Sequence, residues 1–154
     1  MRVFVAGASG AIGRPLVAEL IRQGHQVTGI TRRASSLEHL AKLGATILEV
    51  DVFDATAVER ALRESQAEAV IDQLTSLPQT PADLPEALPG DRKVRLEGGG
   101  NLHRAAQTAG VSRYLQQSSG FFLKSAFGLA TESDPLAIDA GGNIASSSTM
   151  YKQI

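Results

Sequence analysis

The chain contains no cysteine. That excludes disulfides, thiolate catalysis and cysteine-ligated metals. Histidine is sparse: His25, His39 and His103 are scattered, with no pair at a ligand spacing, so no metal site is expected. Charge of one sign is missing as well. The formal net charge is -1, which gives no electrostatic case for nucleic acid or an anionic membrane surface as partner. No apolar run approaches the roughly 20 residues of a membrane span. The apolar start is too short for a signal peptide and runs straight into glycines, so a cytoplasmic location is the default expectation. Internal repeats are absent, and no second domain is apparent.

What is present is a rhythm. Arg2–Gly7 is short, apolar and β-branched and reads as a buried strand. Ala11–Gln23 carries Ile12, Leu16, Val17, Leu20 and Ile21 on one helical face, with Pro15 in the first turn and Gly24 as a stop. Strands are expected at 25–31, 46–50 and 67–72. A helix capped by Ser35 or Ser36 runs to Leu43, and Asp54 caps a second with Val58, Ala61 and Leu62 facing inward. Leu74–Gly90 holds four of the six prolines and reads as a long exposed loop. A helix is then expected over 91–109, although Gly98, Gly99 and Gly100 weaken it or press it against a neighbour. Residues 112–118 read as a fifth strand. Alternation of this kind predicts an α/β fold: a doubly wound parallel sheet of about five strands with helices on both faces.

The chemistry concentrates in MRVFVAGASGAIG. Gly7, Gly10 and Gly13 fall between a strand and a helix. A helix N-terminus offers unpaired N–H groups and partial positive charge, so it suits a phosphate wherever the backbone is bare enough to approach. Gly7 serves the turn, Gly10 leaves room for a pyrophosphate and Gly13 allows close helix packing, with Ala11 and Ile12 between them and the Ser9 hydroxyl beside them. The alternative is a tight turn without a ligand.

This G-x-x-G-x-x-G spacing, with DVFD (51–54), VIDQLTSLP (70–78) and EGGGNLHRAAQTAGVSRYLQQSS (97–119), resembles the extended and atypical short-chain dehydrogenases/reductases, the epimerase/dehydratase type. The resemblance covers residues 1 to about 119 and implies a Rossmann fold that binds NAD or NADP. Arg32 and Arg33, with no carboxylate at the end of the second strand, point to the 2′-phosphate of NADP, NAD remaining possible. The resemblance gives Asp51 and Val52 the adenine; otherwise Asp51 only starts the next turn. Ligands gather at the carboxyl ends of parallel strands, which marks Gln73, Leu74, Thr75 and Ser118.

Family members that do redox chemistry use Ser/Thr, Tyr and a Lys four residues after the Tyr. Ser119 matches the serine. Tyr114 falls inside the fifth strand and reads as core. Tyr151 lies at a suitable distance, but its lysine would be residue 155 and the chain ends at Ile154. Asn101 resembles the family asparagine that supports the site. The resemblance further implies a small-molecule substrate, either a nucleotide sugar or a carbonyl compound, and a homo-oligomer. The expected organisation is one NAD(P)-binding domain over 1–154 that lacks the family's substrate lobe. Two functions follow: an NADP-dependent oxidoreductase or sugar-nucleotide epimerase, or a dinucleotide sensor of the NmrA-like kind that performs no chemistry.

Overall fold

Val3, Phe4, Val5 and Ala6 are all buried, which is how a strand covered on both faces must read. They form β1 (Arg2–Ala6), the centre of a five-stranded sheet in the computed structural model, which describes residues 1–32, 37–118, 123–125 and 128–139. The other strands are β2 (Gln26–Thr31), β3 (Thr46–Glu49), β4 (Ala69–Asp72) and β5 (Arg113–Gln116). Their order is β3-β2-β1-β4-β5, and every pairing is parallel. The expected doubly wound parallel sheet is therefore present.

Alternate side chains of β1 serve the two faces. Val3 and Val5 pack with Val17 of α1 (Gly13–Arg22) and Leu40 of α2 (Leu37–Ala41). Phe4 and Ala6 pack with Val58, Ala61 and Leu62 of α3 (Ala55–Ser65) and with Leu102, Ala105 and Ala106 of α5 (Gly99–Thr108). Asp54 caps α3 as its position suggests: its Oδ1 accepts the Ala57 N–H at 3.0 Å. The proposed caps of α2, Ser35 and Ser36, lie outside the described residues.

The segment read as a loop over 74–90 is only half loop. After residues 73–80 a short 3-10 turn (Pro81–Asp83) leads into α4 (Leu84–Lys93), seven residues earlier than the sequence suggests. Pro85 stands in the first turn, where its missing N–H has no partner to lose. Pro89 lies inside the helix, on an outward-facing stretch. A π-turn (Val94–Gly98) then joins α4 to α5 without a break. Two of the three glycines, Gly98 and Gly99, explain themselves here. A Cβ on Gly98 would stand 2.7 Å from Val52 Cγ2, and one on Gly99 would stand 3.1 Å from Asp72 Oδ2.

Two compact units divide the chain, 1–117 and 118–154. In the second, Leu123 and Leu136 form an antiparallel bridge, Lys124 pairs with Asp139, and Asp134 accepts the Thr131 N–H at 2.7 Å. No described helix is long and apolar enough to cross a membrane.

Candidate functional site

The strand order places the crossover reversal at the carboxyl ends of β1 and β4, because the chain winds from β1 outward to β3 and then returns to the other side of β1. A crevice at such a reversal is where open parallel sheets hold ligands. A cavity of about 590 Å³ opens there.

Its floor is the glycine turn. Gly7 adopts φ +79°, and a Cβ on it would stand 2.5 Å from the Gln73 carbonyl oxygen. A Cβ on Gly13 would run into the Gly7 carbonyl oxygen and come within 2.8 Å of the Ala8 carbonyl carbon. These two glycines therefore hold the turn against β4 and α1 against the turn. Gly10 differs: a Cβ there meets only the Gly7 carbonyl oxygen, at 3.2 Å. No side chain caps the start of α1, where Ile12 stands. The Arg14 N–H donates to the Gly10 carbonyl at 3.1 Å and Pro15 has no N–H, so of the first three residues of the helix it is Gly13 whose N–H is left for a ligand at the cavity.

The β2 side is polar and cationic. Ser9 Oγ and Thr31 Oγ1 are 3.0 Å apart. Arg32 lines the cavity, and so does Arg14, whose Nε donates to the Ser9 carbonyl at 2.9 Å. Arg33 lies outside the described residues. Val50 and Val52 form the wall from β3. Asp51 does not line the cavity. It is exposed, and its Oδ1 accepts the Phe53 N–H at 3.1 Å, which closes the turn before α3. Asn101 Nδ2 donates to the Val52 carbonyl at 2.9 Å and fixes that wall from α5.

The far wall comes from the segments that follow β4 and β5: Gln73, Leu74, Thr75, Leu77, Gln79 and Gln117. Gln73 Oε1 is buried without a hydrogen-bond partner among the described residues, an acceptor a ligand's N–H group could satisfy. Ser118 is exposed and begins the second unit. Ser119 and Tyr151 lie outside the described residues.

Tyr114 is structural. It donates its hydroxyl to Asp72 Oδ2 at 3.0 Å and sets its ring edge-on to His103, 5.0 Å between centroids. Burial first, and then the Asp72 charge, push its phenol well above the ordinary tyrosine range. Asp72 itself is 3% exposed, and burial raises its carboxyl against two hydrogen bonds, from the Leu74 N–H and from Tyr114.

Sequence reasoning singled out Gly7, Ser9, Gly10, Ala11, Ile12, Gly13, Arg32, Val52, Gln73, Leu74 and Thr75, and all of them line this one cavity. It missed Arg14 and the 77–79 segment. A cation directly after the third glycine was the available signal for Arg14. Among the described residues the lining holds two arginines and no carboxylate, so the cavity is chemically suited to an anion. No described group of three or more histidines and carboxylates could hold a metal.

Residues 7–140 match a family model described as NAD(P)H-binding. Among curated proteins the chain is 39% identical over 121 residues to a 3-diazoavenalumate denitrifying reductase of Streptomyces, covering 79% of this chain and 38% of the reductase. It is 33% identical over 115 residues to the photosystem II assembly factor Ycf39 of Synechocystis, covering 75% of this chain and 32% of that factor. Among solved structures, the UDP-glucose 4-epimerase of Thermus thermophilus in complex with NAD superposes with a TM-score of 0.77 at 26% identity, over 99% of this chain and 49% of the epimerase. The chain thus spans about a third of the length of these curated relatives and about half of that structure.

Proposed function

Because this chain belongs to the NAD(P)H-binding family, we propose that it binds NADP(H) in preference to NAD(H). The observation that carries the reading is the composition of the cavity: a bare glycine turn at an uncapped helix start, two arginines and no carboxylate. A 2′-phosphate is the feature by which NADP differs from NAD, and a guanidinium matches its geometry. In this reading Gly7, Gly10 and Gly13 hold the pyrophosphate, with the Gly13 N–H at the start of α1 and with Ser9, Ala11 and Ile12 around it. Arg32 and Arg14 hold the 2′-phosphate, and Val52 borders the adenine. Arg33, Asp51 and Ser118 keep their proposed roles as further cofactor contacts. Gln73, Leu74 and Thr75 wall the remaining half.

When bound, the cofactor supplies hydride-transfer chemistry. The contribution of this chain is to orient it and to close one side of the site. For the whole protein we propose an oxidoreductase or sugar-nucleotide epimerase acting on a carbonyl compound or nucleotide sugar, with Ser119 and Tyr151 as the catalytic candidates. The reductase and the epimerase among its relatives support this. The assembly factor among them favours a second reading, dinucleotide binding without turnover.

The test is a titration of NADPH and NADH, followed by nicotinamide fluorescence, against the wild type and Arg32→Ala and Arg14→Ala. Loss of a charge-assisted contact should weaken NADPH by about 1.5–3 kcal/mol and leave NADH nearly unchanged. Equal losses for both cofactors would remove the 2′-phosphate role from these arginines.

A further inference from the structure

The buried face of α4 poses a problem of its own. Amphipathic helices dock through apolar side chains, yet the one residue α4 buries is a carboxylate, Asp91, 6% exposed. Its Oδ1 accepts the backbone N–H of Ser76 at 2.6 Å, fifteen residues back along the chain. Its Oδ2 accepts from Arg95 Nε at 2.8 Å, and both side chains of this ion pair are nearly buried. Burying a charged pair is costly and is a poor way to gain stability alone.

What this pair touches is the wall of the cavity. Thr75, Leu77, Pro78 and Gln79 line it, and they belong to a stretch, 73–80, with no helix or strand pairing of its own. Two carboxylates hold that stretch: Asp72, through the Leu74 N–H, and Asp91, through Ser76. Val94, at the start of the π-turn and three residues after Asp91, lines the same cavity. The loop is thus pinned at its midpoint by a charge-assisted hydrogen bond.

We propose that Asp91 is a positioning residue that fixes the 75–79 wall and thereby sets the affinity for the nicotinamide half of the dinucleotide. This rests on the cofactor reading above. With the pyrophosphate at the glycine turn and the 2′-phosphate at Arg32, the adenosine half lies toward β2 and β3. The other half then extends toward β4 and β5, where the 75–79 wall stands.

The assignment separates two ligands. Adenosine 2′,5′-bisphosphate carries the adenosine half only, and NADPH carries both. Calorimetric titration of each against wild type, Asp91→Ala and Asp91→Asn reads the difference. Asp91→Ala should weaken NADPH by about tenfold while the bisphosphate binds as before. Asp91→Asn retains an oxygen for the Ser76 N–H but loses the ion pair, and should weaken NADPH by about threefold, again with the bisphosphate unchanged. Thermal unfolding without ligand identifies the folded variants, and Asp91→Asn carries the comparison if Asp91→Ala does not fold. A wild type that binds neither ligand overturns the cofactor reading and this inference with it. A wild type that binds both, with variants that weaken both ligands alike or neither, overturns the role of Asp91 alone.

Discussion

Asp72 carries a carboxyl group into a nearly closed environment at the end of β4. There it meets an N–H and a phenol but no directly bonded cation. Burial raises its pKa, so the folded state holds a proton more readily than the unfolded chain does. The stability it contributes is then full below the ordinary aspartate value, about 4, and is lost as pH rises through the higher folded value. Relative to Asp72→Asn, the wild type should lose ground as pH rises from that range toward neutrality. Urea denaturation of both proteins across that window checks this, and a difference independent of pH would contradict it. At this scale the glycine turn was readable because its chemistry is local: three residues of one type, spaced between a strand and a helix. Asp91 was not, because its role depends on a partner, the Ser76 N–H, that only folding brings to it.

The elements were legible wherever hydrophobic period and capping agreed. Asp54 with Val58, Ala61 and Leu62 specifies α3 by itself. The stretch from Leu84 to Thr108 was harder, because Pro85, Pro89 and four glycines, Gly90, Gly98, Gly99 and Gly100, all argue locally against helix. The helix persists because Pro85 sits in its first turn and because Gly98 and Gly99 are demanded by close neighbours. Gly98 tests that explanation. Alanine normally favours a helix over glycine by about 1 kcal/mol, but here the new Cβ would press on the buried Val52, 2.7 Å away. Gly98→Ala should therefore destabilise the protein by about 1–3 kcal/mol, and Val52→Ala in the same chain should recover part of the loss. Thermal unfolding of the two single variants and the double variant decides it. A stabilised Gly98→Ala would show that the contact yields easily.

Across the whole molecule, the order β3-β2-β1-β4-β5 gathers residues from six separate stretches of sequence around one cavity at the reversal of the sheet. Alternating strands and helices made that architecture legible, since right-handed crossovers leave few ways to wind the chain. Of the far wall, Gln73, Leu74 and Thr75 were legible as the end of a parallel strand, but residues 77–79 were not, because their stretch has no periodicity to read and is held by a helix that the prolines conceal. The central claim is that this cavity receives a dinucleotide on the glycine turn. Gly7 and Gly13 are poor probes, since a side chain on either collides with backbone. Gly10 meets a single atom at 3.2 Å and is the position where a side chain would occupy the cavity with least effect on the fold. The direct measurement is the dissociation constant of NADPH for wild type and Gly10→Val, with unfolding temperatures recorded alongside. The account predicts saturable binding to the wild type and at least about tenfold weaker binding to a folded Gly10→Val. Equal affinities in two folded proteins, or no saturable binding to the wild type, would contradict it.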